Sequence, residues 1–133
     1  MASELRVNTL KDAAGNNSIP TSFVAGGSAK AWAHIAAGGA SLPDSFNFSS
    51  IDDDGNGEYG LNYISAMGST NYSANMTITF NHASTSNTRT CVIEAKTASS
   101  VEVESGYTAG STAYFTKYDV ETNASVTVQG DLA

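Results

Sequence analysis

Tyr72-Ser73-Ala74-Asn75-Met76-Thr77-Ile78-Thr79-Phe80 carries Tyr72, Ala74, Met76, Ile78 and Phe80 at every second position, with Ser, Asn and Thr between them. Successive side chains of an extended chain point to opposite faces, so this run predicts a strand with one buried and one wet face. A slip of one residue would expose all five apolar groups, which pins the register. The same period recurs on either side. Ala31, Ala33 and Ile35 alternate with Lys30, Trp32 and His34; Phe46 and Phe48 are expected to share a face, and Tyr59, Leu61 and Tyr63 another. Residues 91–94, 101–103, 114–120 and 126–128 are rich in β-branched or aromatic side chains and read as further strands. Residues 29–37 also suit a helix on propensity, but Gly26-Gly27 and Gly38-Gly39 bound them closely, and strand is preferred. Strands separated by Gly, Asn, Asp, Pro and Ser clusters predict an all-β antiparallel sandwich, jelly-roll-like, over residues 28–133.

Residues 1–27 differ. Leu5 and Val7 share one face of a short alternating stretch that breaks at Asp12-Ala13-Ala14-Gly15-Asn16-Asn17; Ile19-Pro20 restarts an extended segment. So thin a segment cannot cover its own apolar groups. It is expected to be an N-terminal arm or stem that orders against other chains through Leu5, Val7, Leu10, Ile19, Phe23 and Val24.

Composition narrows the partners. Six Lys and Arg against thirteen Asp and Glu give a net charge of −7, a field that repels phosphate backbones and anionic lipid, so neither nucleic acid nor membrane insertion is expected. Ser, Thr, Asn and Gly together supply 55 of 133 residues while charged groups supply 14%, a surface suited to turns and self-associating β-structure. At 41% hydrophobic the chain has enough apolar surface to fold. Cys91 stands alone and closes no intrachain disulfide. The opening Met1-Ala2-Ser3-Glu4-Leu5-Arg6 lacks the apolar core of a secretion signal.

Candidate chemistry is sparse. Asp52-Asp53-Asp54-Gly55-Asn56-Gly57-Glu58 places Asp52, Asp54 and Asn56 like the first ligands of a calcium loop, but Tyr63 stands where the bidentate Glu belongs. Asp-Gly and Asn-Gly instead suit a hairpin turn, and no metal is expected. His34 and His82 lack zinc-ligand spacing, and no serine sits in a nucleophile elbow. Glu102 and Glu104 lie on one side of a strand whose other side carries Val101 and Val103; a solvated face is expected rather than an acid/base couple. No catalytic residue and no cofactor are assigned. Residues 84–90 and 105–112 read as exposed loops, with Tyr107 as the one aromatic expected to be exposed.

Ser3-Glu4-Leu5-Arg6-Val7-Asn8-Thr9-Leu10-Lys11-Asp12-Ala13-Ala14-Gly15-Asn16-Asn17 resembles the N-terminus of tail-fibre-like structural proteins of bacteriophages, particularly marine and cyanobacterial ones. Ser28-Ala29-Lys30-Ala31-Trp32, Asp44-Ser45-Phe46-Asn47-Phe48-Ser49-Ser50-Ile51, Asp54-Gly55-Asn56-Gly57-Glu58-Tyr59, and Ala66-Met67 before Asn71-Tyr72 continue the likeness in order over about the first 75 residues. The resemblance implies a non-enzymatic virion protein, a short homotrimeric fibre or appendage on the phage tail or capsid. Its arm would contact other tail or capsid proteins. Its β-domain would face outward, with Asn81, His82, Ser84, Thr85, Asn87 and Tyr107 positioned for a host cell-surface glycan. The alternative is a stand-alone carbohydrate-binding β-sandwich using Trp32, Tyr107 and the turn at residues 52–58.

Overall fold

A computed structural model describes residues 6–79, 88–108 and 115–133. Leu5, Phe80, Asn81, His82, Ser84, Thr85, Asn87 and Tyr114 lie outside the described residues. The fold is an all-β antiparallel sandwich, as the alternation predicts. In chain order the strands are β1 (Thr9–Lys11), β2 (Ser18–Pro20), β3 (Ala29–Ala36), β4 (Asp44–Phe46), β5 (Phe48–Gly55), β6 (Glu58–Tyr63), β7 (Ser73–Thr79), β8 (Thr88–Lys96), β9 (Ser100–Thr108), β10 (Phe115–Lys117) and β11 (Asn123–Gln129). One layer runs β4-β3-β11-β7. In the other, β9 is flanked by β8 on one side and by β6 and then β10 on the other, with β5 beyond β6.

The chain crosses between layers at Asn47. Its φ of 59° is the left-handed conformation that Asn tolerates better than most residues. Its side chain locks the bend from both ends, with Nδ2 donating to Ser65 O (3.0 Å) and Oδ1 accepting from Ser65 N–H (2.7 Å). Phe46 and Phe48 therefore do not share a face: Phe46 is 53% exposed and Phe48 4%.

Residues 21–27 correct a second expectation. The extended segment stops at Pro20 and continues as a short helix, α1 (Thr21–Gly27). Thr21 anchors its start to β1's approach, donating N–H to Asn8 O (3.0 Å) and its hydroxyl to Val7 O (3.1 Å). With β1 and β2 paired as a hairpin, this region is folded locally rather than simply extended. Within the loops expected at residues 84–90 and 105–112, Thr88–Thr90 instead opens β8 and Ser105–Thr108 closes β9, and the other positions lie outside the described residues.

Apolar alternation places the core between the layers. Ala31, Ala33, Ile35, Ala124, Val126 and Val128 line one side, and Phe48, Tyr59, Leu61, Tyr63, Val101 and Val103 the other. Small side chains on the first sheet leave room for aromatic rings from the second. The Tyr59 ring packs against Gly39, where a Cβ would lie 1.8 Å from the ring and φ is +71°. Its hydroxyl accepts the Val120 N–H (3.0 Å) and donates to Asp119 Oδ1 (3.3 Å). Tyr63 stacks on Phe48 (5.0 Å) and meets Tyr72 edge-on (5.9 Å). Its hydroxyl sits by that of Tyr72 but forms no hydrogen bond of acceptable geometry among the described residues.

The two buried phenols should therefore respond oppositely to loss of oxygen. Tyr59→Phe strands the Val120 N–H and is expected to cost about 1–3 kcal/mol. Tyr63→Phe removes an unpartnered polar atom and should leave stability within about 0.5 kcal/mol of the parent, or raise it. Urea unfolding of both variants checks the contrast, and equal losses would contradict it.

Candidate functional site

The outer face of the sheet built on β9 gathers carboxylates. Register sets Glu58 directly opposite Glu104, and Gly60 opposite both Glu102 and Asp52. Gly60 has no side chain, and the Glu102 and Asp54 carboxylates occupy the space a Cβ would fill (2.9 and 3.3 Å). A register shift between Ile93 and Ala95 in β8 brings Glu94 alongside. Carboxylate oxygens of Glu58, Glu94 and Glu104 approach within 4.8 Å of one another. Like charges directly opposite destabilise a sheet unless a counter-ion intervenes. Lys117 of β10 supplies one, pairing with Glu104 Oε1 at 2.5 Å and with Glu58.

Glu102 and Glu104 are consequently not a simple solvated face, for Glu104 is 9% exposed. Burial, then the Glu94 carboxylate, pushes the Glu104 pKa up. Glu102 is raised first by burial, with Asp54, Glu94 and Asp52 adding to it and the Ser100 hydroxyl opposing. Glu58, Glu94 and Glu104 are the side chains nearest to a cation-holding arrangement, and Lys117 neutralises two of them.

The hairpin expected at residues 52–58 forms, but more tightly: Asp52–Gly55 ends β5, Glu58 opens β6, and only Asn56-Gly57 makes the turn. Gly55 (φ 149°) and Gly57 (φ 74°) take conformations open to glycine, and Gly57 is pressed against Ser105 O and Tyr118. Asp119, which the sequence reading passed over, clamps the turn by accepting the Gly57 N–H (2.7 Å) as well as the Tyr59 hydroxyl. Asn56 Nδ2 donates to Lys117 O (3.0 Å), and Asp52 Oδ2 accepts from Asn62 (2.8 Å). Asn56 is thus engaged with the backbone rather than converging with Asp52 and Asp54.

Tyr107 is not a loop residue. It belongs to β9, half-buried, with its ring edge-on to Tyr118 (5.9 Å) and under the Arg89 guanidinium (5.4 Å), which also pairs with Glu121. Trp32, by contrast, faces outward from the other layer and is 38% exposed. Trp32, Tyr107 and the residue 52–58 turn are therefore divided between two sheets and form no common site. Val7, Leu10, Ile19, Phe23 and Val24 are all exposed. No family model, no curated protein and no solved structure matches the chain.

The carboxylate face has a defined pH signature. A carboxyl whose folded pKa is raised binds its proton more readily folded than unfolded, so its favourable contribution is complete below the ordinary glutamate value of 4.5 and is lost as pH rises through the elevated one. Thermal stability is expected to increase on acidification from pH 7 to about pH 5. Glu94→Gln should flatten that slope and stabilise the protein at pH 7 by about 0.5 kcal/mol. A melting temperature that falls over this window in the parent would contradict the assignment.

Proposed function

We propose that the protein is a non-enzymatic structural component of a virus particle, a short homotrimeric fibre or appendage on a phage tail or capsid. The observation that carries this reading is the state of the N-terminal segment. Val7 (39%), Leu10 (44%), Ile19 (43%), Phe23 (68%) and Val24 (41%) are exposed together, and no residue of α1, β1 or β2 is buried. Each large apolar side chain gains about 1.5–3 kcal/mol on full burial, so the segment is stabilised by packing on copies of itself or on a neighbouring particle protein. The likeness of residues 3–17 to phage tail-fibre-like proteins supports a virion setting and threefold assembly.

The non-enzymatic part rests on the carboxylates. Glu104, the candidate nearest to a catalytic acid, is held by Lys117 as a partner in a structural cluster. Host contact through Asn81, His82, Ser84, Thr85 and Asn87 belongs to the same reading and falls on residues outside the described ones.

Sedimentation velocity of the intact chain should give a species three times the 13.7 kDa subunit. The double substitution Leu10→Ser/Phe23→Ser should shift it to monomer while the β-rich circular dichroism is kept. A monomeric parent would overturn the proposal.

A further inference from the structure

The outer face of the β4-β3-β11-β7 layer carries a second, unassigned feature. Register aligns Phe46, Trp32 and Thr127 in one row across three strands, and Asp44, His34 and Ser125 in the next. Rows on one face are about 7 Å apart and neighbouring strands about 4.8 Å. An exposed aromatic pair, Trp32 at 38% and Phe46 at 53%, thus borders a band of small polar groups. Trp32, His34, Asp44, Ser125 and Thr127 line a shallow groove of about 510 Å³, within the size range of small-molecule sites.

The polar groups here are unspent. Among the described residues, the side chains of Trp32, His34, Asp44, Ser125 and Thr127 make no hydrogen bond within the chain, whereas the carboxylate face on the opposite layer is tied by Lys117 and Asn62. Between them they offer an indole N–H, an imidazole, a carboxylate and two hydroxyls, both donors and acceptors, beside a flat apolar ring. That combination matches a ligand with an apolar C–H face and a rim of hydroxyls.

We propose that this groove binds a neutral saccharide, one sugar ring stacked on Trp32 with Phe46 extending the platform, its hydroxyls held by Asp44, His34, Ser125 and Thr127. Neutrality follows from charge. The chain carries −7 overall and the groove holds a carboxylate and no lysine or arginine, so an anionic glycan is repelled. The site does not rest on trimeric assembly; it supplies host-surface adhesion with a place on the molecule.

Trp32 is the single tryptophan of the chain, so its fluorescence reports on the groove directly. The intact protein is titrated with neutral oligosaccharides of glucose, galactose, mannose and N-acetylglucosamine, and the same glycans are arrayed. Saturable change in Trp32 emission is expected, with array binding weakened roughly tenfold or more by Trp32→Ala and by Asp44→Ala and unchanged by Tyr107→Ala. If Trp32→Ala fails to fold, Asp44→Ala, an exposed position, carries the test. Emission and array signal indifferent to every neutral glycan, or binding that survives both substitutions, overturns the site. So does a Trp32→Ala protein of reduced assembly mass without any glycan response in the parent, which would assign the face to contact between copies. Mass measured on the same samples separates the two proposals: a monomer with a saturable Trp32 response removes the assembly reading and upholds the groove.

Discussion

The Tyr59 phenol joins what would otherwise be three separate pieces of chain. Its ring fills the space left by Gly39, in the same core cluster as the alanines of β3 and β11. Its hydroxyl then takes the Val120 N–H and reaches Asp119, whose carboxylate also holds the Gly57 turn. Gly38 N–H donates to Val120 O (2.7 Å), returning the network to the other layer. A buried polar network of this kind is favourable because each member is satisfied, and loss of one oxygen leaves a donor with neither water nor partner. Burial in turn raises the Tyr59 pKa, keeping the phenol protonated as a donor to Asp119.

The β5–β6 hairpin hangs on this anchor, and the acidic face hangs on the hairpin. Ser105 N–H donates to Gly57 O (2.8 Å), Tyr118 N–H to Ser105 O (3.0 Å), and the Ser105 hydroxyl to Tyr118 O (2.6 Å). These bonds bring β10 beside β9, which is what delivers Lys117 to Glu58 and Glu104. The ammonium arrives by backbone geometry rather than by attraction alone. An exposed ion pair contributes little in isolation, but here one lysine answers a cross-strand glutamate pair that the register makes unavoidable.

Much of the fold was legible because burial imposes a period. Ala31–Ala33–Ile35, Tyr59–Leu61–Tyr63 and Tyr72–Ala74–Met76–Ile78 each alternate over a whole strand, and each lies on an inner face or packs against it. Features without a period were not legible. Asn47 differs from a strand residue by one backbone angle, and nothing in Phe46-Asn47-Phe48 marks the crossing between layers. The helix at Thr21–Gly27 has no buried face and so no apolar stripe. Glu102 and Glu104 lie close to Glu94 only through a register shift, and Glu104 meets Lys117 only through pairing of β10, neither of which composition encodes. Tyr107 sits among Ser, Gly and Thr that resemble a loop, yet Ser105 and Gly106 are buried in β9. Asp119 was discoverable only as a polar residue beside Val120, a weak signal. The row joining Trp32 to Phe46 needed the β3–β4 register, although the outward direction of Trp32 follows from its alternation with Ala31 and Ala33.

The two outer faces of the sandwich consequently present unlike chemistry. On the layer centred on β9, Asp52, Asp54, Glu58, Glu94, Glu102 and Glu104 gather near one another, Lys117 pairs with Glu58 and Glu104, and the unbalanced charge is a field of one sign. Two copies cannot bring these faces together without desolvating like charges, a penalty that grows as water is excluded. Close association of copies through this face is therefore disfavoured. The opposite layer carries exposed aromatic rings and uncharged hydroxyls, whose desolvation costs far less than that of carboxylates. The electrostatic asymmetry thus leaves the Trp32 face open to a neutral ligand and the carboxylate face toward solvent, where its charge opposes precipitation in a chain otherwise poor in charged groups.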